Sequence, residues 1–80
     1  MKIYSIKDTK IGFMNPFYLQ NDAVAIREFS NAALEKQPNA VNTNAEDKEL
    51  YCLGSFNQET GAIISDVKYL AKAIDLIPKE

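Results

Sequence analysis

Apolar and polar positions change their period several times along this chain, and each change marks an element. In residues 2–7, Ile3, Tyr4 and Ile6 stand among Lys2, Ser5 and Lys7, which predicts a strand. Residues 8–15 hold Asp8, Lys10, Gly12 and Asn15 ahead of Pro16 and predict a turn-rich connection. Phe17-Tyr18-Leu19 predicts a short second strand, paired with the first as a hairpin with a long loop. Asn21 and Asp22 are both able to cap a helix by accepting a backbone N–H of its first turn. The helix is predicted from about Ala23 to Lys36, because Ala25, Ile26, Phe29, Ala32 and Ala33 share one face and Pro38 lies just past its end.

The second half repeats the alternation. Gln37 to Asn44 is an Asn-rich loop. Leu50 to Phe56 reads as a central strand, with Leu50, Cys52 and Phe56 on one face and Tyr51 and Leu53 on the other. Asn57 to Gly61 predicts a tight turn, with Gly61 suited to a positive φ, and Ala62 to Ser65 the returning strand. Ser65 or Asp66 is placed to cap a last helix, about Val67 to Ile77. Its stripe of Val67, Leu70, Ala71, Ile74 and Ile77 is widened by Tyr69, Ala73 and Leu76. So broad an apolar face needs a docking surface, either the domain's own sheet or another chain; the second option makes the protein a homodimer.

The order β-β-α-β-β-α predicts an α+β fold, a small antiparallel sheet with helices packed on one face. Eighty residues make a single domain, 1–80, with the sheet and first helix in 1–65 and the C-terminal helix in 66–80. No 18-residue apolar run predicts a membrane span, and charge returns too quickly after Met1 for a signal peptide. Cys52 has no cysteine to pair with, which fits a reducing cytoplasm, and its apolar neighbours Leu50, Tyr51 and Leu53 make it a small core residue.

Catalytic chemistry has little to work with. The chain has no His, a single Cys, and glycines only at 12, 54 and 61, so a Ser-His dyad, a zinc knot and a Gly-rich phosphate loop are all excluded. Glu46-Asp47-Lys48-Glu49 reads as a solvated run before a strand, because the alternating acids around a Gly that hold Ca²⁺ are missing. The expectation is a binding protein, not an enzyme, with no catalytic residue, metal or cofactor.

The formal net charge of −2 argues against tight binding to phosphate. The charge is uneven, however. Residues 1–20 carry Lys2, Lys7 and Lys10 against Asp8 alone, whereas Asp22, Glu28, Glu35, Glu46, Asp47 and Glu49 outnumber Arg27, Lys36 and Lys48 in residues 21–49. A basic groove with aromatic stacking platforms is what single-stranded nucleic acid requires. Lys2, Lys7, Lys10, Phe13, Phe17, Tyr18 and Arg27 are the candidates, with Tyr4 and Tyr51 as further platforms. The competing reading makes the aromatics core and the lysines aids to solubility. Val24, Arg27, Asn31 and Leu34 also line up on the first helix, as a solvent stripe with two aliphatics or as a partner-facing stripe centred on Arg27.

Five segments in order carry a family resemblance. They are Ile3-Tyr4-Ser5-Ile6-Lys7-Asp8, Asn15-Pro16-Phe17, Ala23-Val24-Ala25-Ile26-Arg27-Glu28-Phe29, Glu46-Asp47-Lys48-Glu49-Leu50-Tyr51-Cys52-Leu53-Gly54 and Phe56-Asn57-Gln58-Glu59-Thr60-Gly61. Together, over residues 2–64, they resemble the small nonstructural protein of gokushoviruses, tailless single-stranded DNA phages of the microvirus group, which is often described as DNA-binding. The resemblance implies an accessory protein of the host bacterial cytoplasm that acts in viral DNA replication and its switch to single-stranded synthesis and packaging. The implied partners are single-stranded or replicative viral DNA and a phage replication or procapsid protein, with Arg27 and then Tyr51 as the matched contact positions. The alternative is a protein-protein interaction module that binds a procapsid protein or host factor without touching DNA. The chain departs from the family pattern at Asn44-Ala45, where His-Pro is expected, and at Lys48, where an aromatic is expected. It also lacks a basic tail, and these departures are expected to alter a loop, not the fold.

Overall fold

The computed structural model describes residues 1–78. Its centre is a five-stranded antiparallel sheet in the order β2-β1-β4-β5, with β3 on the same side of β1 as β2. The strands are β1 (Lys2–Asp8), β2 (Gly12–Phe13), β3 (Phe17–Leu19), β4 (Lys48–Phe56) and β5 (Ile63–Lys72). Two helices, α1 (Asp22–Leu34) and α2 (Ala73–Leu76), complete the α+β fold, with a 3₁₀ turn at Ala45–Asp47 ahead of β4.

The first half follows the expected elements. β1 pairs with β3 across the long loop, Ile3 opposite Tyr18 and Tyr4 opposite Phe17, and the loop adds the two-residue strand β2. Asn21 is the helix cap: its side chain accepts from the Val24 N–H at 2.9 Å. The helix buries Ala25, Phe29 and Ala33 against Tyr4, Leu50 and Cys52, so α1 covers the sheet face that these three residues share. Helix α1 ends at Leu34, and the Asn-rich loop then satisfies its free carbonyls. Asn39 Nδ2 donates to the Ala32 carbonyl at 2.9 Å, and Asn42 Nδ2 to the Glu35 carbonyl at 3.0 Å.

Two expectations are overturned. The segment read as a C-terminal helix from Val67 to Ile77, within a unit of 66–80, is strand as far as Lys72 and helical only over Ala73–Leu76; residues 79–80 lie outside the described residues. Ser65 and Asp66 are therefore strand residues and cap nothing. The reason is local geometry. Leu50 pairs with Ala71 and Tyr51 with Tyr69, while Cys52 pairs with Lys68 and Gly54 with Ser65. Each shift puts an extra β5 residue opposite β4, a β-bulge. Extra residues break the period of two, and the apolar steps of three and four that result imitate a helix.

The second correction concerns Lys48. In place of a solvated run, the chain buries this side chain, which donates from Nζ to the Thr43 carbonyl at 2.7 Å and lies 3.8 Å from Asp8 Oδ2. Lys48 is the first residue of β4 and not part of a loop.

Gly54, at φ 148°, is required where the two long strands close up. A Cβ there would collide with the backbone carbonyl of Ile64.

Candidate functional site

The sheet has one free face. Leu50 and Cys52 point into the core under α1, so Tyr51 between them projects to the opposite side. Strand pairing brings other side chains to it: Lys7 lies opposite both Phe13 on β2 and Glu49 on β4, and Tyr69 lies opposite Tyr51 on β5. The result is a row of three rings drawn from three strands. Phe13 and Tyr51 meet edge to face at 5.2 Å between centroids, and Tyr51 and Tyr69 do so at 5.8 Å. Lys7 Nζ sits 5.5 Å from the Phe13 centroid and 5.6 Å from that of Tyr51, within cation–π range of both.

The outer rings stay open to solvent, Phe13 at 48% and Tyr69 at 49% of full exposure. They offer flat apolar faces, while Lys7 supplies positive charge between two rings. Burial in the row, and then the Glu49 carboxylate, raise the Tyr51 hydroxyl above its ordinary range; the hydroxyl also donates to Glu49 Oε1 at 3.4 Å. Burial and then Asp75 do the same for Tyr69, so both rings are uncharged at neutral pH. Glu49 is the acidic element of the face and lies opposite Lys72 in the β4–β5 register.

Of the nine residues singled out from the sequence, three come together here: Lys7, Phe13 and Tyr51. Lys2 points to the helix side, where Nζ lies 3.4 Å from Asp22. Lys10 is exposed in the turn between β1 and β2, its backbone N–H held by Asp8 Oδ1 at 2.9 Å. Arg27 is exposed on the outer side of α1, on the far side of the sheet from the rings. Phe17, read as a platform, packs against the core and stacks on Tyr4 at 6.1 Å.

Tyr69 was not singled out, because the helical reading placed it on a widened helix face. The signal for it was present in the β-branched and aromatic run Ile63, Ile64, Val67 and Tyr69, which favours a strand.

An open cleft of about 480 Å³ lies near Met1, Phe56, Asn57 and Ile64, and among the described residues Glu59 is the one ionisable side chain lining it. Among the described residues no helix is long and apolar enough to cross a membrane.

Comparison with known proteins adds one assignment. No curated protein and no solved structure matches the chain. A family model described as phage ORF5 protein matches residues 1–76. That match spans every strand and helix of the sheet domain, the ring-bearing strands included, and the chain belongs to the phage ORF5 protein family.

Proposed function

We propose that this phage protein is a nonstructural accessory factor that binds single-stranded DNA through its free sheet face, in viral DNA replication and the switch to single-stranded synthesis and packaging. The reading places it in the host bacterial cytoplasm and gives it no catalytic step. The observation that carries it is the placement of Lys7 over Phe13 and Tyr51 while the rings of Phe13 and Tyr69 remain half open. Unpaired bases have free faces to lay on such rings, each stack worth about 1–3 kcal/mol, whereas bases in a duplex are already stacked. Lys7, and Lys10 in the adjoining turn, supply the charge for the backbone.

Fluorescence anisotropy of labelled single-stranded and duplex oligonucleotides tests the reading. Single strands are expected to bind more tightly, with affinity falling steeply as salt rises. Phe13→Ala, Tyr69→Ala and Lys7→Ala should each weaken binding about tenfold, the equivalent of one lost stack or charge contact. Arg27→Ala, on the far side, reports on the helix face: a larger loss there than at Phe13 would move the interface to α1.

A second reading, a module that binds a phage replication or procapsid protein or a host factor without DNA contact, is favoured by Glu49 within the ring row and by the net charge of −2. Absence of oligonucleotide binding at about 50 mM salt, where phosphate contacts are strong, would select it.

A further inference from the structure

Strand β5 closes the sheet on one side. Among the described residues it pairs with β4 alone, and its other edge has no strand partner. An edge of ten residues is long, and natural proteins blunt such edges with proline, with inward-pointing charge, with bulges or with a cover. β5 has bulges and carries Asp66, Lys68 and Lys72, but it has no proline, and among the described residues 63–69 all stay exposed. Its aliphatic side chains are instead turned to solvent: Ile63 at 66%, Ile64 at 63% and Val67 at 58% of full exposure.

The order of residues along this edge is matched to itself. Val67 is flanked by Asp66 on one side and Lys68 on the other. When a second copy is laid antiparallel with Val67 opposite its own counterpart, Asp66 of each chain faces Lys68 of the other. One two-fold axis thus generates one apolar contact and two opposite-charge pairs, a self-complementary arrangement of the kind that two-fold dimers require. Ile64 then falls opposite Leu70 and Ile63 opposite Ala71, two positions that pack against their own chain's core. Other antiparallel centres lose this match: centring on Asp66 or on Lys68 sets like charges against each other.

We propose that the protein forms a two-fold homodimer by antiparallel pairing of its β5 edges about Val67. The bulge at Asp66–Val67 twists the edge, so the backbone ladder does not define the register unaided; the two Asp66–Lys68 matches do. Lys68 is within reach of Asp22 of its own chain at 3.4 Å but keeps more than half of its side-chain surface, which leaves it free to face a second carboxylate. The proposal does not rest on the nucleic-acid reading; Tyr69 belongs to β5, but its ring packs on Tyr51 across the sheet face.

The test is light scattering or sedimentation of the full chain in the micromolar range, on variants shown to be folded by circular dichroism. The native chain is expected at twice 9.0 kDa. Asp66→Lys and Lys68→Asp each set like charges opposite one another twice, and each should weaken the homodimer about tenfold or more. Mixed in equal amounts, the two single variants are complementary and should form a heterodimer; the double variant Asp66→Lys/Lys68→Asp should recover the homodimer. Val67→Glu, at the two-fold itself, should dissociate the pair independently of the charge exchange. A monomer at high micromolar concentration, or a dimer indifferent to both single charge changes and to Val67→Glu, would overturn the proposal.

Discussion

The Tyr4 hydroxyl donates a 2.7 Å hydrogen bond to Asp22 Oδ1, tying the middle of β1 to the first turn of α1. Tyr4 is fully buried, and Asp22 also lies 3.4 Å from Lys2 and from Lys68, so one carboxylate gathers β1, β5 and the helix start. Its position in the first helical turn also suits its charge to the helix dipole.

This bond makes stability depend on pH at both ends of the scale. Burial, then the Asp22 hydrogen bond, push the Tyr4 hydroxyl well above its ordinary value of 10.0; the same hydrogen bond, with the two lysines, holds Asp22 below 3.8. A raised folded pKa means that the Tyr4 contribution is complete below pH 10.0 and is lost as pH rises beyond it. A lowered one means that the Asp22 contribution is complete above pH 3.8 and is lost as pH falls below it. Tyr4→Phe should cost about 1–2 kcal/mol at neutral pH. Urea unfolding across pH should show that difference level between the two limits and shrinking outside them.

Lys48 and Asp8 form a buried pair at the end of the sheet. Removing one partner leaves the other charge uncompensated, so Lys48→Met is expected to cost about 3 kcal/mol, while the double variant Lys48→Met/Asp8→Asn should recover most of the loss. Thermal melts of the two single variants and the double variant form the cycle that measures this. Additive losses would show that the two side chains do not interact.

Gly54→Ala tests the close approach of β4 to β5. The new methyl group meets the Ile64 carbonyl at a φ that side chains seldom adopt. A loss of about 3 kcal/mol is expected in urea unfolding, larger than that from Gly12→Ala, where the positive φ strains the new residue but no neighbouring atom meets its methyl group.

Phe29 is the largest side chain that α1 buries. Phe29→Ala should lower stability by about 3–5 kcal/mol, a large part of what an 80-residue domain holds, and should depress the melting temperature sharply. An unchanged melt would mean that the helix docks by a different face.

Much of this protein is written locally. Helix α1 was legible because its signals are neighbours in sequence: the Asn21 cap, the repeat Ala25, Phe29 and Ala33, and Pro38 beyond the end. The tight turn before β5 was legible for the same reason. The Asn57 carbonyl accepts the Gly61 N–H at 2.8 Å, and Gly61 holds the φ of 77° that such a turn asks for. Lys7, Phe13 and Tyr51 could be singled out by residue type.

What stayed hidden depends on partners distant in sequence. Residues 67–72 became strand because β4 was there to pair with them, and the bulges in that pairing scrambled the spacing that sequence reading relies on. Lys48 looked solvated because its acidic neighbours are local, whereas Asp8, forty residues earlier, draws it into the fold. The ring row unites residues 7, 13, 51 and 69 only through the registers of three strand pairs. Residue types and short-range spacing therefore determine the helix, the turns and the list of candidate groups. Long-range strand pairing, which no local pattern encodes, decides which of those groups share a surface.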